Sequence, residues 1–314
     1  MNGKGFRFGS RTREVNRKVM EDRANGNYKS ENNNSIDLPQ SNFGKDGGLL
    51  IATGSSLYAF DPFVKKAYRV DQRQNRYKAI GVFNGDVVAL GENIYRVTSG
   101  IEVIPELPPG NFHCFESIGD HIYLGGSSGI LGYNVNDDNT LFENIAKRAV
   151  RGMCCKNDVL IDIGSHGMYV TLDNVCGHSG YIRTLATFDG KLIVSIPMER
   201  NSGNDNPPYE LLQLRDFSKQ DPKRGFRFLE TFTENIGSRI NVMSEYDKIL
   251  CCANDRKDLL LYHDEGRVFD AVNIYRNDPN GSIREDITSM ISVTPNMFKE
   301  ILEFGGLLWI LLIV

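Results

Sequence analysis

From Gly48 onward the apolar positions fall into short runs, each opened by a Gly, Asp, Asn or Lys turn. A small or glycine-containing break and a second apolar run follow. The runs read Gly48-Leu-Leu-Ile-Ala-Thr53, Asp86-Val-Val-Ala-Leu90, Asp120-His-Ile-Tyr-Leu-Gly-Gly126, Asp158-Val-Leu-Ile-Asp-Ile163, Gly190-Lys-Leu-Ile-Val-Ser195 and Lys248-Ile-Leu-Cys-Cys252. Runs this short, rich in β-branched and aromatic residues and bounded by turn formers, predict strands rather than helices. Gly306-Leu-Leu-Trp-Ile310 reads as one further start.

The runs are periodic. Their first apolar residues are Leu49, Val87, Ile122, Val159, Leu192, Ile249 and Leu307, separated by 38, 35, 37, 33, 57 and 58 residues. Polar insertions at 199–208 and 277–281 account for the two long intervals. A second phrase precedes each start and is dominated by small residues: Ala79-Ile-Gly-Val82, His113-Cys-Phe-Glu-Ser117, Arg151-Gly-Met-Cys-Cys155, Arg183-Thr-Leu-Ala-Thr187 and Ile240-Asn-Val-Met-Ser244. Asn84-Gly85 and Asp189-Gly190 supply the dipeptides that tight hairpins prefer.

Equivalent multi-strand units at a fixed period cannot cover both of their own faces, and stacking them about an axis solves that problem. The expected architecture is therefore all-β, a β-propeller of six or seven four-stranded blades, with the small-residue phrase as the innermost strand of each blade. A sandwich is the alternative all-β solution. Because order begins on a second-strand phrase, the two chain ends are expected to pair within one blade.

Residues 112–155 resemble kelch repeats. Ile122-Tyr-Leu-Gly-Gly126 carries the di-glycine after the second strand. Tyr133 and the stretch Asn139 to Phe142 match the later segment, with Phe142 in the usual Trp place, and Arg151 matches the Arg that opens the next inner strand. The other units depart from this pattern, and residues 49–61 are as similar to the short repeats of quinoprotein propellers. The resemblance implies a propeller of kelch-like or related type, whose channel mouth commonly holds acidic peptide segments. It implies no single chemistry.

Charge divides the chain in two. Net charge is −4 over 314 residues, yet residues 1–29 carry eight Lys/Arg against three acids. Residues 1–47 lack apolar periodicity and are read as a flexible basic arm, with 48–314 as the folded domain. The arm is the one place where nucleic acid is an expected partner. The longest apolar run, Leu307 to Val314, is far shorter than the roughly 20 residues a membrane helix needs, so no membrane partner is expected. That run is either a closing strand or the edge of a longer protein. Cys154-Cys155 and Cys251-Cys252 are adjacent and poorly placed to bridge internally, and no leader precedes Gly48. A cytoplasmic or nuclear location is the expectation.

The candidate site is positional. Lys78, His113, Arg151, Arg183 and Arg239 stand eight to ten residues before successive starts. In equivalent units they would ring one mouth of the channel and favour carboxylates or phosphates. The competing reading pairs them with acids of neighbouring blades such as Glu116 or Glu245. His and Cys positions lack structural zinc spacing, and no nucleophile-elbow or phosphate-loop motif is present, so neither metal nor cofactor is expected. Asp162, inside an apolar run, is read as facing the channel and accepting hydrogen bonds from backbone or Arg. The function expected is non-enzymatic: a protein-interaction scaffold that binds an acidic partner segment. A propeller hydrolase or lyase acting in the central channel is the alternative.

Overall fold

The computed structural model describes residues 42–304 apart from 71–76, 100–101, 105–106, 137–141, 157, 165–166, 172–174, 180–181, 198–208, 215–227, 237, 264–267 and 276–284. The residues read as a basic arm lie outside it up to residue 41, and so does the predicted strand start at Gly306.

The protein is all-β, and its described strands form six four-stranded antiparallel sheets. The first contains β1 (Gly48–Thr53), β2 (Leu57–Asp61) and β3 (Lys66–Arg69). The second runs β4 (Ala79–Phe83), β5 (Asp86–Leu90), β6 (Ile94–Arg96) and β7 (Glu102–Ile104). The third runs β8 (Phe112–Ile118), β9 (His121–Gly126), β10 (Gly129–Asn134) and β11 (Glu143–Ala146). The fourth has β12 (Val150–Lys156), β13 (Val159–Gly164), β14 (Gly167–Val170) and β15 (Val175–Ser179). The fifth has β16 (Thr184–Phe188), β17 (Lys191–Pro197), β18 (Tyr209–Leu214) and β19 (Phe228–Ile236). The sixth has β20 (Ile240–Tyr246), β21 (Ile249–Asn254), β22 (Leu259–Tyr262) and β23 (Val268–Val272).

The last strand, β24 (Ile287–Val293), returns to pair with β1 from Gly48↔Val293 to Thr53↔Ile287, completing the first sheet as β24-β1-β2-β3. The first and last described strands therefore share one sheet. Thr53 and Ser55 reinforce the junction: Thr53 Oγ1 and the Ser55 N–H donate to the Glu285 carboxylate at 2.8 and 2.7 Å.

All six predicted starts from Leu49 to Ile249 fall in the second strand of a sheet. These strands read as unbroken apolar runs because both of their faces are covered; every residue of β1 and of β21 is buried. Hairpin chemistry fixes their register. Asn84 and Gly85 have φ of 49° and 78°, and Asp189 and Gly190 have 46° and 67°, the paired left-handed conformations of a two-residue turn between β4 and β5 and between β16 and β17.

The core lies between sheets. Six buried apolar clusters fill the gaps between first and second, second and third, and so on, the last joining the sixth sheet back to the first. The first strands follow the same order: β4 lies beside β8, β8 beside β12, β12 beside β16, β16 beside β20, β20 beside β24 and β24 beside β4. Such close approach requires small residues. A Cβ on Gly81 of β4 would enter the Phe115 ring of β8. In the di-glycine of β9, a Cβ on Gly125 would meet Met153 Sδ of β12 at 2.9 Å, and one on Gly126 would strike the Asn111 carbonyl.

A helix, α1 (Pro295–Phe304), follows β24 and was not foreshadowed by the repeat. Thr294 caps it, accepting from the Met297 N–H at 3.4 Å, and Pro295 takes the first helical position, where its missing N–H costs nothing. The helix buries Phe298, Ile301 and Leu302 against the first sheet. Phe43, placed in the arm by composition, is buried there too, with ring centroids 4.8 Å from Tyr68 and 5.5 Å from Phe298.

Candidate functional site

A cavity of about 630 Å³ is lined by residues of all six innermost strands and by Asp247. One mouth is where these strands begin, and backbone register decides which side chains ring it. In β8 the pairs Phe112↔Gly126 and Cys114↔Gly125 leave His113 as an extra residue. In β12 Arg151 is extra between Val150↔Gly164 and Gly152↔Ile163. In β20 it is Asn241, and in β24 Thr288. Each is a β-bulge, which turns its side chain out of the ladder. In the second and fifth sheets the equivalent residues sit just ahead of the ladder: the Lys78 N–H donates to Leu90 O at 2.9 Å and the Arg183 N–H to Ser195 O at 2.8 Å. A buried apolar residue precedes every one: Tyr77, Phe112, Val150, Ile182, Ile240 and Ile287.

Lys78, His113, Arg151 and Arg183 therefore occupy one equivalent position on four consecutive sheets, and Asn241 and Thr288 complete the set. His113 and Arg151 are exposed and line the cavity; Lys78 and Arg183 are half-buried and directly precede the lining residues Ala79 and Thr184 without lining it themselves. Arg183 Nη2 donates to Asn241 Oδ1 at 3.2 Å, tying adjacent positions together. Thr288 Oγ1 lies 3.2 Å from the carbonyls of both Ala52 and Tyr77. Arg239 is not equivalent to the others. It stands two residues before the position that Asn241 takes, and its Nε is buried with no hydrogen-bond partner among the described residues. The offset of ten residues from Arg239 to Ile249 exceeds the eight or nine that hold at the other positions, and counting eight back from Ile249 reaches Asn241.

Of the acids offered as competing partners for these cations, Glu245 is engaged elsewhere. Glu245 Oε1 accepts from the Asp189 N–H at 3.0 Å. Glu116 lines the cavity, and among the described residues its carboxyl receives one hydrogen bond, from the Ser117 backbone N–H. Burial pushes that carboxyl up to about 8, and the Ser117 bond only partly offsets the desolvation. Glu116 acts electrostatically on the Cys114 and Cys154 thiols, which burial already pushes up, Cys114 to about 12. Both thiols stay protonated at neutral pH and are poor nucleophiles.

Asp162 is wholly buried and held by Arg148, whose Nε lies 3.0 Å from Oδ1 and whose Nη2 contacts Oδ2. Thr171 Oγ1 adds a bond of 2.8 Å, and the guanidinium lies 4.1 Å above the Tyr169 ring. The acceptor role agrees with the sequence reading, but the place does not: Asp162 is wholly buried within the fourth sheet and is not among the residues that line the cavity. Among the described residues no group of three or more His, Cys, Asp or Glu gathers as a metal site, and no helix is long and apolar enough to cross a membrane.

No protein-family model matches the chain, and no curated protein sequence matches it. Among solved structures it is similar to a protein of unknown function from Bacteroides caccae, at 12% identity and TM-score 0.50, covering 79% of this chain and 99% of that one. It also matches the computationally designed Ika8 protein at 10% identity and TM-score 0.45, over 80% of this chain and 94% of that one. The first likeness is one of fold alone.

Proposed function

We propose that the chain is a six-bladed β-propeller acting as a non-enzymatic binding module, holding an acidic segment of a partner protein at the mouth ringed by Lys78, His113, Arg151 and Arg183. The order of neighbouring first strands, with β24 beside β4, and the core in each of six gaps support the propeller. The pairing of the last described strand, β24, with β1 in one sheet would lock the ring. Cys114, Cys154, Cys155, Cys251 and Cys252 form no disulfide, which supports a reducing compartment.

One observation carries the binding assignment: four consecutive sheets place a basic or imidazole side chain at one register position beside a common cavity. Positive charge confined to the mouth of a low-dielectric cavity concentrates its field there and draws carboxylates toward it. Arginine adds planar, two-pronged recognition of the carboxylate group. The arc spans four of six sheets and leaves Asn241 and Thr288 neutral, so the partner chain lies to one side of the mouth.

The test is calorimetric titration with an N-acetylated, C-amidated pentaglutamate peptide at low and moderate salt. Arg151→Ala together with Arg183→Ala weakens binding about tenfold or more, with steep salt dependence and an unchanged melting temperature. An unchanged affinity in the double variant, or no binding by the native protein, rules the assignment out.

A further inference from the structure

Resting on the proposed anion-binding mouth, we infer that its occupant is the free amino terminus of an acidic polypeptide, whose α-ammonium group pairs with Glu116 while a carboxylate about three residues further along meets His113 and Arg151. Glu116 lines the same cavity and follows His113 by three residues on β8, which sets it roughly 10 Å deeper at about 3.3 Å per residue. An extended peptide covers that distance in about three residues. The occupant thus carries opposite charges at a spacing that β8 dictates.

Among the described residues no cation acts on the Glu116 carboxyl. Its own strand offers the Cys114 thiol and the Ser117 N–H, and β4 brings the uncharged Ala79, Ile80, Gly81 and Val82 to the cavity. β12 offers the Cys154 and Cys155 thiols; its cations are Arg151, toward the mouth, and Lys156, which acts on Cys154. A carboxyl lining a cavity without a counter-charge is destabilised in its ionised form, as its elevated titration point of about 8 reflects. An arriving ammonium supplies the missing charge. Near neutral pH the carboxyl then gives up its proton to solvent and forms the ion pair, so binding releases up to one proton.

Shape favours a chain end. Six strands surround the cavity, so a loop would have to enter and leave side by side, whereas a terminus enters as a single strand. The upper wall is built from small residues, Ala79, Gly152 and Thr184 among them, on three of the cationic sheets. About 630 Å³ suits a ligand of a few residues.

Calorimetry of the full-length protein with Gly-Gly-Glu-Glu-Glu-amide and its N-acetylated counterpart tests the inference. The free amine binds roughly tenfold or more tightly. Glu116→Gln removes that preference while leaving the acetylated peptide's affinity in place. Titrations in buffers of different ionisation enthalpy show proton release for the free amine only. Equal affinity for the two peptides, a preference that survives Glu116→Gln, or no proton release in the native protein overturns the inference and leaves the anion-binding mouth standing. Failure of both peptides to bind the native protein overturns both. The proton measurement needs no variant, so a misfolded Glu116→Gln protein leaves the test intact.

Discussion

Glu116 makes the pH dependence of stability a direct test of the cavity's electrostatics. Its carboxyl titrates near 4.5 in an unfolded chain and near 8 in the folded one. Below the unfolded value it is protonated in both states and costs nothing. As pH rises past 4.5 the unfolded chain ionises while the folded one resists, so stability falls until the folded group also ionises near 8. Linkage gives a slope of about 1.4 kcal/mol per pH unit within that window. From pH about 5.5 to about 7.5 a fully dry carboxyl would thus lose about 2.7 kcal/mol; Glu116 is half-buried and faces an open cavity, so screening brings the expected loss to about 1–2 kcal/mol. Glu116→Gln keeps the shape and removes the titration. Urea melts of both proteins at a series of pH values, under reducing conditions, should give curves that converge at acid pH and separate toward pH about 8, with the variant the more stable. Parallel curves across this range would refute the claim that the carboxyl lacks a counter-charge, and the amine-binding inference would lose its basis.

Two further predictions concern stability. Asp162→Ala strands the Arg148 guanidinium, only 18% exposed, without its carboxylate, and should cost about 3–5 kcal/mol in denaturant melts; a loss under about 1 kcal/mol would mean that water replaces the pair. Phe298→Ala empties a fully buried site between α1, Phe43 and the first sheet and should cost about 3–5 kcal/mol. An unchanged melt would show that α1 is an accessory to the sheet rather than part of its core.

The six second strands were legible because burial on both faces makes them unbroken apolar runs flanked by turn dipeptides, a signal that survives any insertion between units. Phe43 and α1 were not. Phe43 is a lone aromatic in a polar stretch, and nothing local announces that a helix some 250 residues later will supply its packing partner. The helix itself, Pro295 to Phe304, lies beyond the last complete repeat, where period counting has no further unit to compare. Its signals were local ones: Thr294 before Pro295, and apolar residues at 298, 301 and 302 on one face.

The mouth was half legible, for a reason rooted in strand geometry. Counting back from the second strand gives eight residues for Arg151 and Asn241 and nine for Lys78, His113 and Arg183, so an offset of ten reaches past the ring position to Arg239. The steadier marker is the buried apolar residue just before each ring position. Tyr77-Lys78, Phe112-His113, Val150-Arg151, Ile182-Arg183, Ile240-Asn241 and Ile287-Thr288 align without any counting. That pairing has a physical origin: the apolar member anchors the strand in the core of its own gap, and the bulge then swings the next side chain into the mouth. Anchors can be exchanged only for other large apolar residues, while the ring member is free to vary with the ligand. The charge pattern Lys, His, Arg, Arg, Asn, Thr around the mouth is therefore the part of this chain that packing does not dictate, and it is where selection for a partner has room to act.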